Sequence, residues 1–180
     1  MTLKIFGGEY KGRLLKSPKG QNTRPTQGII RQAVFNICQT EIEGATFLDL
    51  FAGSGGMGLE ALSRGAACAT FVEKDRHALA CIHENIHILN VSTRAKILPM
   101  DARSAIEKLQ EPFDMIYIDP PYDFSVQEIV DKILAKGLLS SLLFIEEREK
   151  THESMIHPSL ELYDKRRYGI ALLSIFRKKS

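Results

Sequence analysis

The sequence predicts an α/β fold: a mostly parallel seven-stranded sheet with helices on both faces, an antiparallel hairpin at the C-terminal edge and a small N-terminal extension. Three observations predict it. From residue 46 onward, short apolar runs alternate with segments whose apolar residues recur at helical spacing. The runs are apolar throughout rather than at every second position, as in strands covered on both faces. The first four runs each lead into a polar or glycine-rich signature, at the end where an open α/β sheet holds its ligands. A length of 180 residues, 44% hydrophobic and 26% charged, suits one globular unit.

In chain order, the first residues read as short extended pieces that turn at Gly7-Gly8 and Gly12, before a loop at Ser17-Pro18-Lys19-Gly20. Thr26 or a neighbour caps a helix whose stripe is Ile29, Ile30, Ala33, Val34 and Ile37. Strands over residues 46–50, 68–72, 95–98 and 113–118 are each followed by a helix, near 57–64, 75–90, 102–109 and 125–136. A fifth strand covers 142–145. The tail departs from this rhythm. Residues 160–163 and 170–176, joined through Arg166-Arg167-Tyr168-Gly169, form the edge hairpin.

The net charge is only +2, but it is unevenly placed. Residues 1–40 hold seven Lys/Arg against the single acid Glu9, and residues 161–180 hold six against Glu161 and Asp164. Basic ends around an acidic middle suit a polyanion approached by the termini; a basic solvated surface would look the same. No run reaches the ~18 apolar residues of a membrane helix, and the N-terminus lacks a secretory apolar core. Cys38, Cys68 and Cys81 have no paired spacing and read as buried thiols in a reducing cytoplasm.

Four signatures carry the chemistry. After the first strand, Gly53, Gly55 and Gly58 match G-x-G-x-x-G, where glycine lets a ligand approach the backbone. Asp49 ends that strand; its carboxylate suits a ligand with an ammonium group and repels a pyrophosphate. After the second comes Glu73, placed to accept hydrogen bonds from ribose hydroxyls, which fits an adenosine-containing methyl donor or NAD. After the third comes Asp101, able to accept from an adenine amino group, to cap a helix, or both. After the fourth comes Asp119-Pro120-Pro121-Tyr122. Two prolines make a rigid turn, so Asp119 and the Pro120 carbonyl form two fixed acceptors. Held by both hydrogens, an exocyclic base amine aims its lone pair at a methyl donor while Tyr122 stacks on the base. His83-Glu84-Asn85-Ile86-His87 is a literal H-E-x-x-H, but the histidines border the buried stripe of their helix and no third ligand is signalled, so no metal is expected.

These motifs, in this order, resemble the RsmD-type 16S ribosomal RNA guanine-N2 methyltransferases over nearly the whole chain. The resemblance rests on Gly7-Gly8 with Lys11-Gly12-Arg13; on Thr23-Arg24-Pro25-Thr26 with Arg31 and Phe35-Asn36; on Asp49 to Gly55 continuing through Gly58-Leu59-Glu60-Ala61-Leu62-Ser63-Arg64-Gly65-Ala66; on Val72-Glu73-Lys74-Asp75; on Asp119 to Tyr122; and on Tyr168-Gly169. The N-terminal blocks are the discriminating ones, because many amino-methyltransferases share the glycine loop and the proline turn. Gly56-Met57 and the His83–His87 stretch depart from the family pattern without removing a functional group.

The resemblance implies a Rossmann-like class I methyltransferase domain over residues 41–180, with residues 1–40 as a basic RNA-contacting extension. It implies transfer of a methyl from S-adenosylmethionine to one guanine N2 of 16S rRNA, within the small subunit or an assembly intermediate; separately, a cytoplasmic monomer is expected. Asp119, Pro120 and Tyr122 are then the expected catalytic residues. Asp49, Phe51, Gly53, Gly55, Glu73, Lys74, Asp101 and Ala102 are the expected cofactor-binding set, and Lys11, Arg13, Arg24, Arg31, Arg166 and Arg167 the expected RNA contacts. Competing readings are methylation of DNA adenine N6, of another rRNA base or of a protein glutamine, a nicotinamide oxidoreductase, and a non-catalytic RNA-binding assembly factor.

Overall fold

A computed structural model describes residues 3–18, 25–121, 124–148 and 157–179. A two-residue hairpin, β1 (Leu3–Lys4) and β2 (Leu14–Leu15), precedes α1 (Pro25–Ile37). The alternating region then gives β3 (Thr46–Asp49), α2 (Gly56–Ser63), β4 (Cys68–Glu73), α3 (Arg76–Leu89) and β5 (Ala95–Pro99). It continues with α4 (Ala102–Lys108), β6 (Phe113–Ile118), α5 (Val126–Ala135) and β7 (Leu139–Arg148). The chain closes on β8 (Leu160–Tyr168) and β9 (Ala171–Lys178).

The main sheet has the order β5-β4-β3-β6-β7-β9-β8. β3 pairs in parallel with both β4 and β6, and β6 with β7. Only β9 runs the other way, antiparallel to β7 on one side and to β8 on the other. The order turns back at β3, which opens a crevice beyond the carboxyl ends of β3 and β6, where such sheets bind ligands.

Each face of the sheet closes on its own apolar cluster. Helices α1, α2 and α3 bring Ile30, Val34, Phe35, Leu59, Leu62, Ile82 and Ile86 onto Phe47, Phe71, Met115 and Phe144. Helices α4 and α5 cover Leu48, Ile116, Ile118 and Leu143 with Ile106, Ile129 and Ile133. Caps end the helices where the turn chemistry falls. Asp75 accepts the Ala78 N–H at 2.8 Å, and Asn90, with φ 55, ends α3 in the left-handed region. At α1 Thr26 itself is not the cap, because Pro25 already opens the helix and Thr26 lies inside its first turn.

The described N-terminal residues pack into the same core as the sheet. Leu3, Ile5 and Leu15 join the cluster around Phe47 and Phe71. Glu60, fully buried in α2, accepts the backbone N–H of Phe6 at 2.9 Å and of Gly7 at 2.8 Å, and Arg64 Nε at 2.9 Å. Ser63 donates to the Gly7 carbonyl at 2.6 Å and accepts the Tyr10 N–H at 3.0 Å. The Gly7-Gly8 signature is therefore a seat on the helix that follows the glycine loop.

Two strands outrun their apolar runs. β7 extends through Glu146 and Glu147 because β9 pairs with it as far as Arg148. β8 continues through Arg166 and Arg167, which lie in the strand, while the turn is Gly169-Ile170. An edge strand tolerates such charges, and they guard it against edge-to-edge pairing.

Candidate active site

The loop between β3 and α2 is tied to the sheet on both sides. Leu50 N–H donates to the Tyr117 carbonyl of β6 at 3.1 Å, and Ala52 N–H to the Val72 carbonyl of β4 at 2.9 Å. Gly53 (φ 54) and Gly55 (φ 85) hold left-handed conformations, and a Cβ on Gly53 would meet nothing within 4 Å. That open side leaves the loop backbone accessible to a ligand. Gly58 serves packing: a Cβ there would come within 2.3 Å of the Phe71 ring.

Two acids hold this loop, and a third, Asp101, follows β5 at the same end of the sheet. Asp49 is 1% exposed and accepts the Gly58 N–H at 3.0 Å. Burial pushes its carboxyl up to about 7, Glu73 adds to the rise, and the Gly58 hydrogen bond and Arg31 oppose it. Glu73 accepts three backbone N–H groups, Gly53 on Oε2 and Lys74 and Asp75 on Oε1, each at 2.8 Å. With about four lone-pair sites on a carboxylate, one remains for a ribose hydroxyl unless the Gly53 bond opens. Asp101 is exposed and caps α4, accepting Ser104 N–H at 3.1 Å and Ser104 O–H at 2.6 Å. Those bonds hold its carboxyl below the usual carboxylate range, so it is ionised and its outer lone pairs face water.

The other cofactor candidates take varied positions. Phe51 packs edge-on against Phe124, with centroids 5.2 Å apart, and the Arg103 guanidinium covers Phe124 at 4.2 Å. Lys74 is exposed and Ala102 is buried at the start of α4. Asp119 and Pro120 leave β6 half-buried at the same rim, and Phe124 N–H closes the turn on the Pro121 carbonyl at 3.0 Å. Tyr122 and Arg24 lie outside the described residues.

Among the basic candidates, Lys11 and Arg13 are exposed in the loop that joins β1 to β2. Arg166 and Arg167 are exposed on β8; Arg166 pairs with Asp164 at 2.8 Å, and Arg167 Nε donates to the Gly169 carbonyl at 3.2 Å. Because β8 runs in the same direction as β7, with β9 between them, both arginines lie level with the carboxyl end of β7. Arg31 corrects the expectation placed on it. It is 5% exposed, donates from Nη2 to the Lys4 carbonyl at 2.6 Å, lies 3.5 Å from Glu60 and stacks on the Phe6 ring at 4.8 Å. A guanidinium buried between an acid and an aromatic ring holds the N-terminus to α2 and offers no charge to a phosphate. Composition made it look like the other arginines; only its place in the buried stripe of α1, beside Ile30 and Val34, signalled otherwise.

The structure adds two groups that the sequence reading left out. Tyr117, 4% exposed on β6, donates its hydroxyl to Glu146 Oε2 on β7. Burial chiefly raises the Tyr117 pKa far above that of a free phenol, with Glu146, Asp119 and Asp49 adding to it. The signal was parity: Tyr117 and Asp119 are two apart, hence on one face of their strand. His83 and His87 lie on the exposed side of α3, and the described residues contain no group of three or more His, Cys, Asp or Glu able to hold a metal. No helix among them is long and apolar enough to cross a membrane.

A family profile described as "Conserved hypothetical protein 95" matches residues 3–177. YlbH of Bacillus subtilis is 32% identical over 184 residues, covering 98% of this chain and 100% of its own. Ribosomal RNA small subunit methyltransferase D of Escherichia coli K12 is 34% identical over 147 residues, covering 80% of this chain and 74% of its own. The solved structure of Escherichia coli yhhF superimposes with a TM-score of 0.90 at 27% identity over 99% of both chains.

Proposed function

As this chain belongs to the Conserved hypothetical protein 95 family, which spans 3–177 of its residues, we propose that it is an S-adenosylmethionine-dependent methyltransferase of the small-subunit ribosomal RNA, acting on the exocyclic N2 amine of a guanine. One observation carries the reading. The parallel order of β4, β3 and β6 puts the glycine loop, Asp49, Glu73 and the Asp119-Pro120 turn at one edge of the sheet, the edge where such sheets take their ligands.

The residues present fit the donor. Gly53 leaves the loop open to an approaching ligand. Glu73 keeps acceptor capacity for a ribose, and ionised Asp101 for an adenine amine. Asp49 is a buried carboxyl short of positive charge, which an ammonium group beside the loop supplies. When bound, the donor supplies a methyl group made electrophilic by its sulfonium.

On the acceptor side, Asp119 and the Pro120 carbonyl take the two amine hydrogens and turn the nitrogen lone pair toward that methyl. With donor bound, the new N–C bond would form as the methyl–sulfur bond breaks, leaving S-adenosylhomocysteine as the product. The nitrogen becomes positively charged, Asp119 stabilises that charge, and the surplus proton passes to water. Exposed Lys11, Arg13, Arg166 and Arg167 would hold the RNA by its phosphates.

Incubation with small subunits lacking this methyl group and with labelled donor tests the proposal. Digestion should place the label in N2-methylguanosine at one position of 16S rRNA. Label in protein, in DNA or on another base would overturn it.

A further inference from the structure

We propose that Glu146 selects the base: its free carboxylate oxygen accepts the N1–H of the guanine whose amine Asp119 and Pro120 hold. This rests on the guanine reading above.

Register places the two acids side by side. Tyr117 aligns with Phe144 and Ile118 with Ile145 in the parallel β6–β7 pair, so the next step sets Asp119 beside Glu146. Alternation puts both on one face. Phe144 and Tyr117 belong to the cluster covered by α1 to α3, and Glu146 and Asp119 follow them by two residues each. The next residue, Glu147, turns to the other face, where Lys165 offsets its charge.

Glu146 is also pre-positioned. The buried Tyr117 hydroxyl engages Oε2, which fixes the side chain and leaves Oε1 for another donor. Burial raises the Glu146 carboxyl above the usual range, and the Tyr117 bond is what opposes this. A half-dry carboxylate next to the amine-holding turn, with no cation paired to it among the described residues, is suited to a base N–H.

The chemistry names the base. Guanine presents N1–H directly beside its exocyclic amine, so its edge offers hydrogens to both acids. Adenine carries a lone pair at N1 beside its amine, which a carboxylate repels. Sites built to take a hydrogen bond reject analogues that lack the donor by large factors.

The test compares guanine with 2-aminopurine, which keeps the 2-amino group but has a lone pair at N1. Small subunits are reconstituted with either base at the mapped position, and kcat/KM is measured for the wild type, Glu146→Gln and Glu146→Asp. Melting temperature and S-adenosylhomocysteine affinity serve as controls for folding. The wild type should prefer guanine strongly. Glu146→Gln should lose roughly tenfold or more on guanine, and its preference should fall toward unity, because its amide can donate to N1. Glu146→Asp should keep the preference at a lower rate. An equal loss on both bases, or an unchanged preference in Glu146→Gln, overturns the role of Glu146 while leaving the methyltransferase reading intact. Absence of methylguanosine from the wild-type reaction overturns that reading instead.

Discussion

At the scale of single residues, Asp49 makes the clearest quantitative statement. Its folded-state pKa of about 7 lies above the usual ~3.9 of an aspartate. A raised carboxyl favours the folded state while protonated, and that contribution is lost as pH rises through the folded value. A cationic ligand reverses the balance, because its ammonium group favours the ionised form. Affinity for S-adenosylhomocysteine should therefore rise between pH 6 and pH 8, by up to about tenfold per unit below the pKa. Titration calorimetry at several pH values measures this, and Asp49→Asn should flatten the profile. A flat wild-type profile would remove Asp49 from donor binding. Asp49 and Asp119 were legible in the sequence because each ends an apolar strand abruptly. Glu146 and Glu60 were not: one sits where β7 had stopped looking like a strand, and the other, although buried, reads as an ordinary helix glutamate.

At the scale of elements, α3 holds a less obvious connection. The H-E-x-x-H pattern draws the eye to His83 and His87, but those point to solvent, and the polar residue turned inward is Asn85. Fully buried, Asn85 accepts the Lys16 N–H at 2.7 Å and donates to the carbonyls of Lys16 at 2.9 Å and Ser54 at 3.0 Å. One amide thus joins the segment after β2, the glycine loop and α3. Asn85→Ala leaves part-buried backbone groups of Lys16 and Ser54 without this partner, at about 1–3 kcal/mol. Denaturant unfolding should register that loss, and donor affinity should fall with it because the glycine loop is released. Loss of stability with unchanged donor affinity would show that the clamp serves folding alone. The helices and parallel strands were legible because each pairs a local apolar pattern with a cap or a glycine. The place of β9 between β7 and β8 was not, since strand order depends on hydrogen-bond partners that no local pattern records.

At the scale of the whole molecule, the charge asymmetry takes spatial form. Arg166 lies across from Leu173, which lies across from Glu146, so the basic edge strand stands two strands from the acidic rim, roughly 10 Å at ordinary strand spacing. Phosphates at that distance from a displaced base can be held while the base enters the crevice. Subunit or RNA affinity should fall steeply with salt, and Arg166→Ala with Arg167→Ala should make that dependence shallower by up to about two phosphate contacts. Filter binding across a salt series checks this; an unchanged slope would exclude β8 from the RNA interface. All of these expectations depend on one arrangement, with donor and acceptor meeting where β3 and β6 diverge.

The most direct measurement of that arrangement is Asp119→Ala, assayed in parallel for S-adenosylhomocysteine binding by calorimetry and for methyl transfer to unmodified small subunits. Transfer should fall by roughly 10²–10³ or more, as when a group that stabilises charge in the transition state is removed, while donor affinity stays near the wild-type value. Loss of both in equal measure, or retention of transfer, would contradict the account.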